Sequence, residues 1–98
     1  MVIPSNHFGR ESMQRAQTLR RALIKAIEEF QVDAEMSERA LSAKLGQHKN
    51  YINEILHGQH VVKFEEFVLI AEGLGKSPHD LLGRVLTLTR FSEKFPRG

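Results

Sequence analysis

Apolar positions return every three or four residues along most of this chain, the spacing of helices with one buried side. Beginning at Ser12, the positions Ala16, Leu19, Leu23, Ala26, Ile27 and Phe30 share one face of a long first helix, and Arg15, Arg20, Arg21, Lys25, Glu28 and Glu29 cover the other. The stretch QVDAE at 31–35 reads as a connection. A second, short helix starts at Ser37, a residue type suited to capping. Met36 before it is placed to pack on Leu41, and Glu38 suits the positive end of the helix dipole. Leu41 and Leu45 face inward with the small Ser42 beside them, and Gly46 ends the helix, because glycine enters the left-handed region without strain. A third helix is expected over residues 48–57. Tyr51, Ile52 and Ile55 fall on one side of it, and Lys49, Asn50, Asn53, Glu54 and His57 form a polar row on the other, with Leu56 at the boundary. Gly58 ends this helix too.

Past the loop GQHVV, the pattern FEEFVLIAEGLG gives Phe64, Phe67, Val68, Ile70, Ala71 and Leu74 as the wide apolar face of a buried fourth helix. Ser77, Pro78 and Asp80 start a fifth, with serine as cap, proline at the first helical position and an acid in the first turn. Leu81, Leu82, Val85 and Leu88 continue it. The expectation is an all-α, five-helix domain over residues 12–86. It is preceded by a flexible arm at 1–11, which holds Pro4 and Gly9 and shows no period. A C-terminal tail follows at 87–98.

Composition narrows the picture. The chain has 98 residues, 41% of them hydrophobic, enough for one modest core. The absence of cysteine removes disulfides and thiolate metal sites. No apolar run approaches a membrane span, and the N-terminus lacks a signal-peptide core, so a cytoplasmic protein is expected. The net charge of +2 is small, but it is localised. Residues 36–63 hold Arg39, Lys44, Lys49 and Lys63 against Glu38 and Glu54, while the flanking parts are balanced. The whole excess therefore lies on the two short helices and the loop after them, and it permits a polyanionic partner.

Two short helices joined at a glycine turn make a helix-turn-helix arrangement. Over roughly residues 36–82 the sequence resembles the Cro/C1-type (XRE-like) repressors and regulators, which have the lambda-repressor-like fold. The resemblance is carried by Ser37, Leu41, Leu45-Gly46, Ile52, Ile55 and Gly58, then by Leu74-Gly75, Ser77 and Leu81-Leu82. It implies a third helix lying in the major groove of double-stranded DNA while the second crosses the backbone. By position, Lys49, Asn50 and Glu54 match the family's base-reading sites, with Asn53 beside them. The chemistry suits each role: lysine donates to guanine, asparagine pairs bidentately with adenine, and glutamate accepts from cytosine N4. The resemblance also implies phosphate contacts from Ser37, Arg39, Lys44, Tyr51 and Lys63. The chain departs from the family's usual residues at Glu38, where a glutamine is common, and at Gln47 and His48. A carboxylate at position 38 repels phosphate.

Other chemistry is weaker. A solvated face is the plain alternative for the polar row, and the register of the five helices argues against it. The spacing His57-Gly58-Gln59-His60, with Glu54 near, hints at a metal, but a helix-ending glycine interrupts it and solvated histidines explain it better. No nucleophile–base pair and no phosphate-cradling glycine loop is present, so neither an enzyme nor a bound cofactor is expected. Val85, Leu88 and Phe91, with Leu86 and Phe95, exceed what a fifth helix needs and are read as a homodimer interface; packing of the tail on the first helix is the alternative. The functional expectation is a repressor of phage type that occupies an operator. With no effector domain, its regulation would come from abundance, a partner or a longer natural chain. The competing expectation is a protein-interaction module on the same fold, such as an antitoxin.

Overall fold

The computed structural model describes residues 9–94, and side chains for residues 9–90. Five helices follow one another: α1 (Arg10–Asp33), α2 (Glu38–Lys44), α3 (Tyr51–Leu56), α4 (Phe64–Gly73) and α5 (Pro78–Lys94), with no strand among the described residues. The core is assembled from one face of each helix, with Ala26, Ile27, Leu41, Ile52, Ile55, Ile70, Ala71 and Leu81 fully enclosed or nearly so. α1 lies along α5, where Arg84 Nε meets Glu29 Oε1 at 3.1 Å and the Lys76 ammonium sits 5.3 Å from the centre of the Phe30 ring. α2 presses on α4 so closely that a Cβ at Gly73 would stand 3.0 Å from Leu45 Cδ2 and 3.2 Å from Leu41 Cδ1.

Helix limits differ from the sequence expectation in four places, each with a local cause. α1 begins at Arg10 instead of Ser12, because Gly9 is extended and its carbonyl accepts from Met13 N–H at 2.9 Å. Residues 1–8 of the expected arm lie outside the described residues. α1 also runs through Asp33, past the expected connection. It closes with Glu35 N–H bonded to Val32 O at 3.0 Å and Met36 N–H to Gln31 O at 3.1 Å, a Schellman ending with Glu35 at φ 53°. Glycine usually fills that position, as Gly46 does after α2 at φ 70°, so this ending carries no glycine signal. α3 begins three residues later than expected, at Tyr51, where the cap comes from another helix: Ser42 Oγ of α2 accepts from Ile52 N–H at 3.1 Å. α5 continues through the expected tail to Lys94, since Leu88 still packs on the core and Thr89, 1% exposed, satisfies its hydroxyl on Val85 O at 2.8 Å.

Two apolar expectations are corrected. Phe64, assigned to the buried face of the fourth helix, is the first residue of α4 and is 80% exposed. Val85, assigned to a dimer interface, is 5% exposed within the core between α1 and α5, and Leu88 is half-buried beside it. Among the described side chains of α5, the large apolar ones turned outward are Leu82 and Leu86. The Phe91 side chain and all of Phe95 lie outside what is described.

A candidate nucleic-acid interface on the second and third helices

α3 has only six residues, too short to hold its own shape in water. Its position is set by neighbours. Ser42, fully buried on α2, is the joint between the two helices: its hydroxyl donates to Glu38 O at 2.8 Å and accepts from Ile52 N–H at 3.1 Å. Ile52 lies in the first turn of α3, where backbone N–H groups have no partner within the helix. A serine from the preceding helix therefore caps α3, and Asn50, at the N-cap position, makes no capping bond with its side chain.

The polar row splits into two groups. Lys49 and Asn50 stand exposed in the turn that leads into α3, and their side chains have no hydrogen-bond partner among the described residues. Asn53 and Glu54 are half-buried and engaged. Asn53 Nδ2 donates to Glu38 Oε1 at 3.0 Å, and His48 Nε2 donates to Glu54 Oε1 at 3.2 Å. Glu38, read from the sequence as a favourable helix start whose charge repels phosphate, is thus also a bridge from α2 to α3.

Of the residues expected to hold phosphates, Arg39, Lys44 and Lys63 are exposed. Ser37 Oγ accepts from Ala40 N–H at 3.0 Å, which leaves its own O–H for a further contact. Tyr51 is corrected. It is 4% exposed, and its hydroxyl donates to Glu66 Oε2 at 2.8 Å, so the group is turned into the protein. Burial first, and the adjoining Glu66 carboxylate second, push the phenol well above its ordinary range. Glu66 also accepts from His60 Nε2 at 2.8 Å and, through Oε1, from Lys63 N–H at 2.7 Å. Burial pushes its carboxyl up, but these three donors outweigh burial and hold it below the ordinary carboxylate value.

The histidines of the 57–60 stretch go to different partners. His57 Nδ1 donates to Asn53 O at 2.8 Å within its own helix, and His60 faces Glu66. Among the described residues no three His, Asp or Glu side chains are grouped to hold a metal, and no helix is long and apolar enough to cross a membrane. Sequence reasoning missed Ser42 as a joint and Glu66 as an acceptor for three donors. A hydroxyl on the core-facing side of α2 was the available signal for the first. The second had only Glu66's place three residues after Lys63, the N-cap of the fourth helix, a pattern that foretells a capping bond and not the contact with Tyr51.

The sequence model of a family described as helix-turn-helix matches residues 31–81. No curated protein matches the chain in sequence. Among solved structures, the crystal structure of the clp gene regulator ClgR from Corynebacterium glutamicum is similar, with a TM-score of 0.70 and 25% identity over 78% of this chain and 81% of that one.

Proposed function

The chain belongs to the helix-turn-helix family, and from that premise we propose a sequence-specific repressor that reads the major groove with the start of its third helix. At the coarser level it is a DNA-binding transcription regulator and not an enzyme, in keeping with the gene regulator it resembles in structure. The observation that carries the finer reading is the division of the polar row. Lys49 and Asn50 are exposed and unengaged at the N-terminal lip of α3, where recognition helices meet base edges, while Asn53 and Glu54 are braced by Glu38 and His48. Lys49 suits guanine O6 or N7, Asn50 suits adenine, and Glu54 suits cytosine N4 from its braced position. Ser37, Arg39, Lys44 and Lys63 supply the phosphate contacts that fix register, and Tyr51 is left out of that set. The regulator works in the cytoplasm, as a homodimer on a pseudo-palindromic operator of phage type. The outward Leu82 and Leu86 of α5, one turn apart on the same side of the helix, form the pairing surface.

The test is selection from a random-sequence duplex pool, followed by anisotropy titrations at two salt concentrations with wild type and with Lys49→Ala/Asn50→Ala. The expected result is one enriched sequence, affinity that falls steeply with salt, and loss of selectivity in the double variant while weak, salt-sensitive binding persists. Each phosphate contact contributes a slope of about 0.9. A second reading, a protein-interaction module, is favoured by one observation: Glu38 and Glu54 put two carboxylates on the face that would meet phosphates. It is upheld instead if wild type enriches no sequence and binds duplexes only weakly and without preference.

A further inference from the structure

The six-residue α3 is held by contacts of two kinds. Ile52 and Ile55 bury apolar surface, which is non-directional and lets so short a helix roll. Directional hydrogen bonds fix the roll. Two of them lead to α2: Ile52 N–H to Ser42 Oγ and Asn53 Nδ2 to Glu38 Oε1. Two ties to one neighbour leave an axis about which α3 pivots. The third tie leads elsewhere, from Tyr51 Oη to Glu66 Oε2 on α4 at 2.8 Å, and removes that pivot. Tyr51 directly follows Lys49 and Asn50, so any turn of Tyr51 moves both.

The Tyr51 ring also has two histidine rings as neighbours. The His60 ring lies 5.4 Å away and the His48 ring 6.2 Å away, centre to centre, both roughly edge-on. His60 is bonded to the same Glu66 oxygen as Tyr51, and His48 to Glu54. Glu66 itself is anchored by Lys63 N–H at the start of α4, so it is a fixed acceptor instead of a mobile surface carboxylate.

We propose that Glu66, acting through the Tyr51 hydroxyl, is the positioning residue that sets where Lys49 and Asn50 stand against a DNA duplex and so determines sequence selectivity. The proposal rests on the DNA-reading function above. Glu66 touches no DNA in this scheme. Phosphate contacts tolerate a small roll of α3, whereas bidentate base contacts do not, because their two bonds need a fixed plane. Loss of the tie therefore removes selectivity and leaves general affinity.

The experiment uses the full chain with Tyr51→Phe, which deletes only the hydroxyl, and Glu66→Gln as a second variant. Affinities are measured for the duplex that wild type selects from the random pool and for a scrambled duplex of equal length. Melting curves set an assay temperature at which all proteins are folded. The expected result for Tyr51→Phe is a loss of at least about tenfold on the selected duplex, comparable to one base readout, with the scrambled duplex changed by less than about twofold. Adding Glu66→Gln to Tyr51→Phe then produces little further loss of selectivity, because the two residues act through one bond. Equal losses on both duplexes, or no loss on either, overturn the proposal. Amide exchange on the free proteins separates its failure from that of the DNA-reading function. The Ile52 and Glu54 amides are expected to exchange about five- to tenfold faster in Tyr51→Phe, the equivalent of one lost hydrogen bond, with Ile27 of α1 unchanged. If wild type selects no sequence, the selectivity role is overturned with the function it serves, and the exchange result alone reports whether Glu66 fixes α3. Unchanged exchange at Ile52 and Glu54 overturns the positioning itself.

Discussion

Glu38 shows how one side chain reconciles two demands. Its carboxylate accepts a hydrogen bond from Asn53 and so steadies α3, yet a charge at the start of α2 opposes the phosphates that this face is proposed to meet. An amide in its place keeps an accepting oxygen for Asn53 and removes the charge. Glu38→Gln is therefore expected to tighten binding to any duplex, by about 0.5 kcal/mol for a unit charge roughly 8 Å from a phosphate in water. Selectivity should stay as it is. Titration of selected and scrambled duplexes in parallel checks this, and weaker binding by the glutamine variant would show that the carboxylate serves DNA recognition directly. At this scale Lys49 and Asn50 were legible as candidates from their place in the polar row, and Tyr51 was half legible. Its apolar side was correctly placed inward. The direction of its hydroxyl was not readable, because the acceptor is on another helix.

Ser42 sets the relation between two elements. One buried hydroxyl ends at both the Glu38 carbonyl and the Ile52 amide, so α2 and α3 move as a unit. Ser42→Ala leaves the Ile52 N–H buried without a partner, a loss of about 1–3 kcal/mol. Denaturant unfolding monitored by circular dichroism is expected to show a lower midpoint with an unchanged slope. A midpoint equal to wild type would mean that water reaches the amide in place of the hydroxyl. Most elements were legible from apolar spacing and from glycine endings, but their limits were less so. The ending of α1 depends on Glu35 in a conformation that glycine usually supplies, and the late start of α3 depends on a cap contributed by α2. Both causes are contacts or conformations to which a residue-type rule assigns no weight.

In the whole molecule, α1 packs along α5 and against α3, and Leu82 and Leu86 stay outside the core. If these residues form the proposed pairing surface, Leu82→Glu/Leu86→Glu is expected to yield a folded monomer in sedimentation experiments. Its binding to a two-half-site operator should weaken by tenfold or more, since each half-site then binds alone, on the order of the gain that linkage gives. Sedimentation identical to wild type would move the pairing surface elsewhere. The sequence by itself determined that the described residues are all-helical, that they form five helices and that a glycine turn joins the second and third, and it set out one polar row as the candidate face for recognition. These features follow from local period and local backbone preference, which need no knowledge of what lies across the core. Only the tertiary structure decided that Val85 faces α1 and Leu82 faces outward, that Asn53 and Glu54 are braced while Lys49 and Asn50 are open, and that Tyr51 answers to Glu66. Each of these depends on the angle at which one helix meets another, and that angle is set by close packing of the core as a whole.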